Sequence, residues 1–172
     1  MSNTRSRIRD CINRKPGIHF NDITRQLDIA TGQTQYHLRK LVRSGKLDKE
    51  SIAGRTHYYP PTFSTWEREA IALLRRETSR EIVLYLLRNE PAAPAEITEK
   101  LDLARSTVEW HLSRLADHDV VEKQPMDDES ARVVVTLCEK ETIYRLLREI
   151  EPHLLDRVVD RFSRLTDELL DG

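Results

Sequence analysis

Residues 32–44 read GQTQYHLRKLVRS, and the side chains in this run are of the types that read nucleic acid. Glutamine pairs with adenine edges, arginine with guanine edges or phosphate, lysine with phosphate, and tyrosine with phosphate or a thymine methyl. For that chemistry they must share one face of a helix. Thr34, Leu38 and Leu41 at i, i+4 and i+7 mark its buried stripe. Rotation by about 100° per residue puts Gln33, Tyr36, Arg39, Lys40 and Arg43 on the opposite face. Gly32 at the helix start lets backbone N–H groups approach a phosphate closely. A merely solvated basic face is the plainer alternative. The residues that follow weigh against it, because Lys49, Arg55 and His57 fall on a hairpin after the helix. The candidate nucleic-acid contacts are thus Gln33, Thr34, Gln35, Tyr36, Arg39, Lys40 and Arg43 on the helix, with Lys49, Arg55 and His57 beside it.

The charge of the chain is segregated in the same sense. Residues 1–61 hold twelve Lys/Arg against five Asp/Glu, a net +7, whereas residues 62–172 hold sixteen against twenty-four, a net −8. A basic block on a compact unit attracts polyanions, and the acidic remainder cannot share that task. An apolar fraction of 38% beside 33% charged residues fits a helix-rich globular chain and argues against general disorder. The longest apolar run, Ile82 to Leu87, is far too short to span a membrane, and the polar, basic amino terminus has no apolar stretch behind it. A cytoplasmic location without membrane association is expected. Cys11 and Cys138 lie too far apart for a disulfide framework or a thiolate metal site and are expected to be small packing residues.

The elements that position the basic face occur twice. Asp22 to Leu47 aligns without a gap on Glu96 to Val121, an offset of 74 residues, with identities at Ile23/Ile97, Leu27/Leu101, Asp28/Asp102, His37/His111, Leu38/Leu112 and Leu41/Leu115 among others. In the first copy the spacing predicts a helix over 4–14, stopped at Lys15-Pro16-Gly17, and a short helix over 21–27 with Asn21 as N-cap. A turn over 28–31, a third helix over 32–44 closed by Gly45, and a hairpin of 46–51 with 55–59 around Ala53-Gly54 follow. The second copy repeats this with 79–89, 95–101 and 106–118, then 120–124 with 132–137. Thr78 with Glu81, and Ser64 with Glu67, have capping-box spacing, the second pair opening a helical linker over 66–76.

The pattern ITxxLDxA, then five or six polar residues, then HLxxL and a hairpin, resembles winged helix-turn-helix regulators of the arsenic-repressor and multiple-antibiotic-resistance-repressor types. Two such units in a short chain are similar to the tandem winged-helix regulators of archaea. That resemblance implies that the third helix enters the major groove while the hairpin wing touches the backbone or minor groove beside it. The expected fold is mainly α with small β-hairpins (α+β). It divides into a DNA-binding unit (1–61), a helical linker (62–78), an acidic second unit for interaction or dimerisation (79–137) and C-terminal amphipathic helices for dimerisation (138–172).

The matched outward positions of the second copy are Thr107, Trp110, Ser113, Arg114 and Asp117, whose charges cancel, and its wing tip is Asp127-Asp128-Glu129. Like-charge repulsion along phosphates would weaken such a grip. Trp110 then suits either a protein interface or packing against its own wing and linker. His37 and His111 share one place but have no recurrent ligand neighbours, so packing is expected and no metal is implied. There is no glycine-rich phosphate loop, nucleophile elbow or paired carboxylate, so neither enzymatic activity nor a cofactor is expected.

Beyond Glu139, Leu155, Val158, Phe162, Leu165 and Leu169 form an a/d seam, preceded by a similar stripe of Ile143, Leu147, Ile150 and Leu154. A homodimer through this segment and the acidic second unit is expected, setting two first units on a near-palindromic duplex, the alternative being helices that fold back on their own chain. The expected function is sequence-specific regulation of transcription on double-stranded DNA. The alternative is a protein-interaction module of a transcription-related assembly, with an unidentified protein partner at the second unit.

Overall fold

The computed structural model describes residues 3–126 and 132–151. Three helices, α1 (Thr4–Arg14), α2 (Phe20–Leu27) and α3 (Thr31–Arg43), open the chain with the two-residue strand β1 (Ile18–His19) between the first two. The hairpin β2 (Asp48–Ile52) and β3 (Arg55–Tyr59) follows, and β1 joins it as a three-stranded antiparallel sheet in the order β1-β3-β2. After α4 (Thr65–Leu74), the pattern returns as α5 (Glu77–Asn89), α6 (Pro94–Leu101), α7 (Arg105–Asp117), and the hairpin β4 (Val121–Pro125) with β5 (Val133–Leu137). The helix α8 (Lys140–Ile150) closes the described part. In the second unit a single bridge from Ala92 to Val135 stands where β1 pairs with β3. The fold is the α+β arrangement of two winged units expected from the repeat.

The 74-residue offset is kept at the level of backbone torsions. Asp28 ends α2 with φ 49°, and its counterpart Asp102 ends α6 with φ 51°. Aspartate tolerates this left-handed region better than bulkier residues, which lets each chain reverse sharply into its third helix. Downstream, Gly45 at φ 67° closes α3, with its N–H donated to Val42 O and that of Lys46 to Leu41 O, a Schellman-type end. Ala53 and Gly54 both have positive φ, as a two-residue hairpin loop of the primed type requires.

Two caps differ from the spacing argument. His19, not Asn21, caps α2, its Nδ1 accepting from the Asn21 N–H at 3.3 Å, because the helix begins one residue earlier at Phe20. At α5 the helix starts at Glu77 behind Arg76 with no side-chain cap, so Thr78 already lies inside the first turn. The box at Ser64 and Glu67 forms in both directions. At α6, Ala93 has no polar side chain, so only the return bond exists, from Ala93 N–H to Glu96 Oε2 at 2.8 Å.

Two hydrophobic cores result. The first gathers Ile8, Ile12, Ile18, Ile23, Leu38, Leu41 and Leu47 with Cys11. The second is larger and includes Ile82, Leu86, Ile97, Val108, Leu112 and Leu115, but also Tyr59, Ala70, Ile71, Leu73 and Leu74. Helix α4 therefore does more than connect the units, since its buried face is part of the second core. The turn at Pro16-Gly17 docks on it. Arg75 donates Nε–H to Pro16 O at 2.7 Å, and a Cβ on Gly17, whose φ is +77°, would come within 2.6 Å of Ile71 Cγ2.

The stripe on α8 is also covered by its own chain. Ile143, Leu146, Leu147 and Ile150 are buried in the second core, and Arg145 pairs with Glu67 of α4. For α8 this is the packing on its own chain that stood as the alternative to dimerisation. Leu154 and the seam of Leu155, Val158, Phe162, Leu165 and Leu169 lie outside the described residues. Among the described residues, no helix is long and apolar enough to cross a membrane.

Candidate nucleic-acid interface

Helix α3 presents the expected face. Thr34, Leu38 and Leu41 are at most 1% exposed, while Gln33, Gln35, Arg39, Lys40 and Arg43 are exposed and Tyr36 is 51% exposed. Lys40 Nζ sits 4.7 Å from the Tyr36 ring centroid, one turn away. Hydrogen bonding to that ammonium, then its charge, lowers the Tyr36 phenol from its ordinary value.

Alternation along the wing separates its charges. Asp48 and Glu50 share one face of β2 and reach Arg68 of α4, at 3.0 and 3.4 Å, leaving Lys49 exposed on the opposite face. Lys49 with Gln35, Arg39, Arg43 and Tyr58 lines a groove of about 290 Å³ between α3 and the wing. A second hollow of about 340 Å³ gathers Arg5, Lys40, Arg43 and Lys46. Arg5 and Lys46 were missed by sequence reasoning. Arg5 joins because α1 packs on α3, a contact invisible in local spacing; Lys46, directly after the helix-closing glycine, was open to inspection as a basic residue at the helix end. Among the described residues, no carboxylate pairs with Arg39, Lys40, Arg43, Lys49 or Arg55.

Two expected contacts are turned inward. Thr34 is fully buried, and its hydroxyl donates to Ala30 O at 3.2 Å, so its place on the helical stripe overrides its polarity. His57 is 8% exposed, with Nδ1 2.8 Å from Gly17 O, because β3 alternates and sends His57 and Tyr59 to the interior. Burial lowers the His57 imidazole from its ordinary value, against an opposing pull from that bond. Neither residue can reach a ligand from its present position.

The second unit repeats part of the face. Trp110 is 46% exposed at the position of Tyr36, and Arg114 lies over it at 4.3 Å, at the position of Lys40. Elsewhere the faces diverge. Ser113 and Asp117 replace Arg39 and Arg43, and Lys123 of the second wing is tied to Glu109 at 3.3 Å. The acidic tip Asp127-Asp128-Glu129 lies outside the described residues. His111 bonds Ser79 Oγ through Nδ1 at 2.8 Å, a packing role, while the ring of His37 meets Tyr36 edge-on at 5.2 Å.

Comparison with known proteins agrees with this architecture. A family model described as an N-terminal HTH domain matches residues 2–71, and one described as a helix-turn-helix domain matches residues 73–124. An uncharacterized HTH-type transcriptional regulator of Methanocaldococcus jannaschii is 27% identical over 139 residues, covering 81% of this chain. The chain spans about a third of that relative's length, 34%. Solved structures with some likeness include HlyU from Vibrio cholerae, 22% identical with a TM-score of 0.43 over 54% of this chain and 90% of that one. Another is a transcriptional regulator homologue from Pyrococcus horikoshii, 23% identical with a TM-score of 0.43 over 56% of this chain and 96% of that one. Both are too loose to bear on function. The two family matches meet between Ile71 and Leu73, inside α4, so that residues 2–71 and 73–124 are two helix-turn-helix domains carried in tandem by one chain.

Proposed function

We propose that this chain is a transcriptional regulator that binds double-stranded DNA through α3 and the wing of its first unit. The observation that carries the reading is the set of five cations, Arg39, Lys40, Arg43, Lys49 and Arg55, exposed around one helix and hairpin with no carboxylate partner among the described residues. Unpaired cations on a rigid frame serve a polyanion, whereas a merely solvated face would carry interspersed acids. Gln33, Gln35 and Tyr36 supply groups suited to base edges, which phosphate attraction alone would not need. Two HTH matches and a relative named as a transcriptional regulator support the same reading.

Selection of bound sites from random duplex DNA tests it. A recovered motif with a defined half-site supports sequence-specific binding; recovery without enrichment leaves only charge attraction and contradicts specific regulation. Pairing of chains belongs to the same proposal and rests on the seam between Leu155 and Leu169. Light scattering should report a dimer for the full chain and a monomer for a chain ending at Glu151. A chain cut at Leu137 is a poor test, because it also strips α8 from the second core.

A further inference from the structure

A second cluster of cations stands where the two units meet. Trp110 has two guanidinium groups near its ring, Arg114 at 4.3 Å and Arg76 at 5.8 Å from the centroid. Arg76 comes from the junction of α4 and α5, and Arg114 from α7 itself. No carboxylate pairs with Arg55, Arg76 or Arg114 among the described residues. The guanidinium of Arg76 is lowered from its ordinary value by burial, then by the charges of Arg114 and Arg55. No acid pairs with either guanidinium among the described residues.

Two like charges collected at an exposed indole repel each other, and the attraction of each to the ring is modest. Paired with a ligand of opposite charge they gain charge-assisted hydrogen bonds, most of all with phosphate, whose oxygens match a guanidinium fork. The arrangement also repeats the Tyr36 and Lys40 pair of α3 at the equivalent positions of α7. We infer that Arg76 and Arg114 beside Trp110 form a second phosphate-binding site for the same duplex, so that DNA held at α3 also reaches α7. This rests on the DNA reading of the first unit. The second unit is thereby a backbone clamp without a base-reading set, since Ser113 and Asp117 stand where Arg39 and Arg43 read the first groove. A neutral outward face on α7 hid this from the sequence, because Arg76 arrives from another helix.

The test compares the salt dependence of duplex binding by the full chain, by the Arg76→Gln/Arg114→Gln variant and by an Arg39→Gln/Lys40→Gln/Arg43→Gln variant. Far-ultraviolet circular dichroism confirms that each is folded. Loss of two phosphate contacts should make the slope of log affinity against log salt shallower by about 2, with site preference unchanged. An unchanged slope for R76Q/R114Q overturns the clamp and leaves the first-unit reading standing if the α3 variant still fails. Loss in R76Q/R114Q with full binding by the α3 variant instead sinks the first-unit reading and with it a clamp on the same duplex, leaving DNA on the second unit alone. A second readout uses Trp66→Phe, which leaves Trp110 as the sole indole of the two in the chain. Duplex DNA should then change its emission, and no change at saturating DNA would count against the clamp.

Discussion

Arg68 of α4 donates to Asp48 Oδ2 of the first wing at 3.0 Å, and the same guanidinium lies 3.4 Å from Glu50 Oε2. It also donates to Phe63 O at 2.9 Å, while Tyr59 OH donates to Arg68 O at 2.8 Å. The only two acids of the β2 strand are therefore neutralised from behind, and the cationic edge of the wing faces outward. Arg68→Gln should both loosen the wing and release two negative charges near bound phosphate. The pair is partly exposed, which places the stability cost between a surface bridge and a buried one, roughly 1–3 kcal/mol. Duplex affinity should fall at low salt, and Asp48→Asn/Glu50→Gln in the same background should restore it. Failure of that rescue would show that the loss comes from wing geometry and not from charge.

Buried His57 and partly buried His111 should give stability a pH dependence. His57 is lowered by burial, and His111 is lowered by burial and then by the charges of Arg76 and Arg114. A histidine with a depressed value in the folded state contributes stability that is present above the unfolded value, near 6.5, and lost as pH falls through the folded value. Thermal midpoints should hold steady above about pH 7 and decline below about 6.5. His57→Gln and His111→Gln should each flatten that decline. An acid-side slope untouched by both variants would show that other groups control it.

Thr34 separates packing from recognition on α3. Its hydroxyl donates to Ala30 O, and Val108 occupies the equivalent buried position in the second unit. Thr34→Val should change stability by no more than about 1 kcal/mol and leave DNA affinity within twofold of the parent, roughly 0.4 kcal/mol. An affinity loss as large as that of Arg39→Gln would mean that the helix rotates on binding.

Most elements were legible in the sequence because their signals are local. Leu38 and Leu41, Gly45 after α3, and Ser64 with Glu67 before α4 each act within a turn or two, and the repeat exposed the second unit once the first was parsed. What escaped was carried by contacts across long separations. Arg68 finds Asp48 twenty residues away, Arg76 finds Trp110 from another helix, and α8 finds its cover on α4. Thr34 and His57 show a different failure. The helical period places Thr34 on the buried stripe with Leu38 and Leu41, whereas His57 shares the parity of exposed Arg55 and is turned inward by its bond to Gly17 O, forty residues away.

Binding of a duplex carrying the selected site, measured for the full chain and for R39Q/K40Q/R43Q across a range of salt, bears most directly on the role of α3. Removal of three phosphate or base contacts should weaken binding at moderate salt and make the salt slope shallower by roughly 2–3. A variant that remains folded and binds with the affinity and slope of the parent would contradict DNA recognition by the first unit.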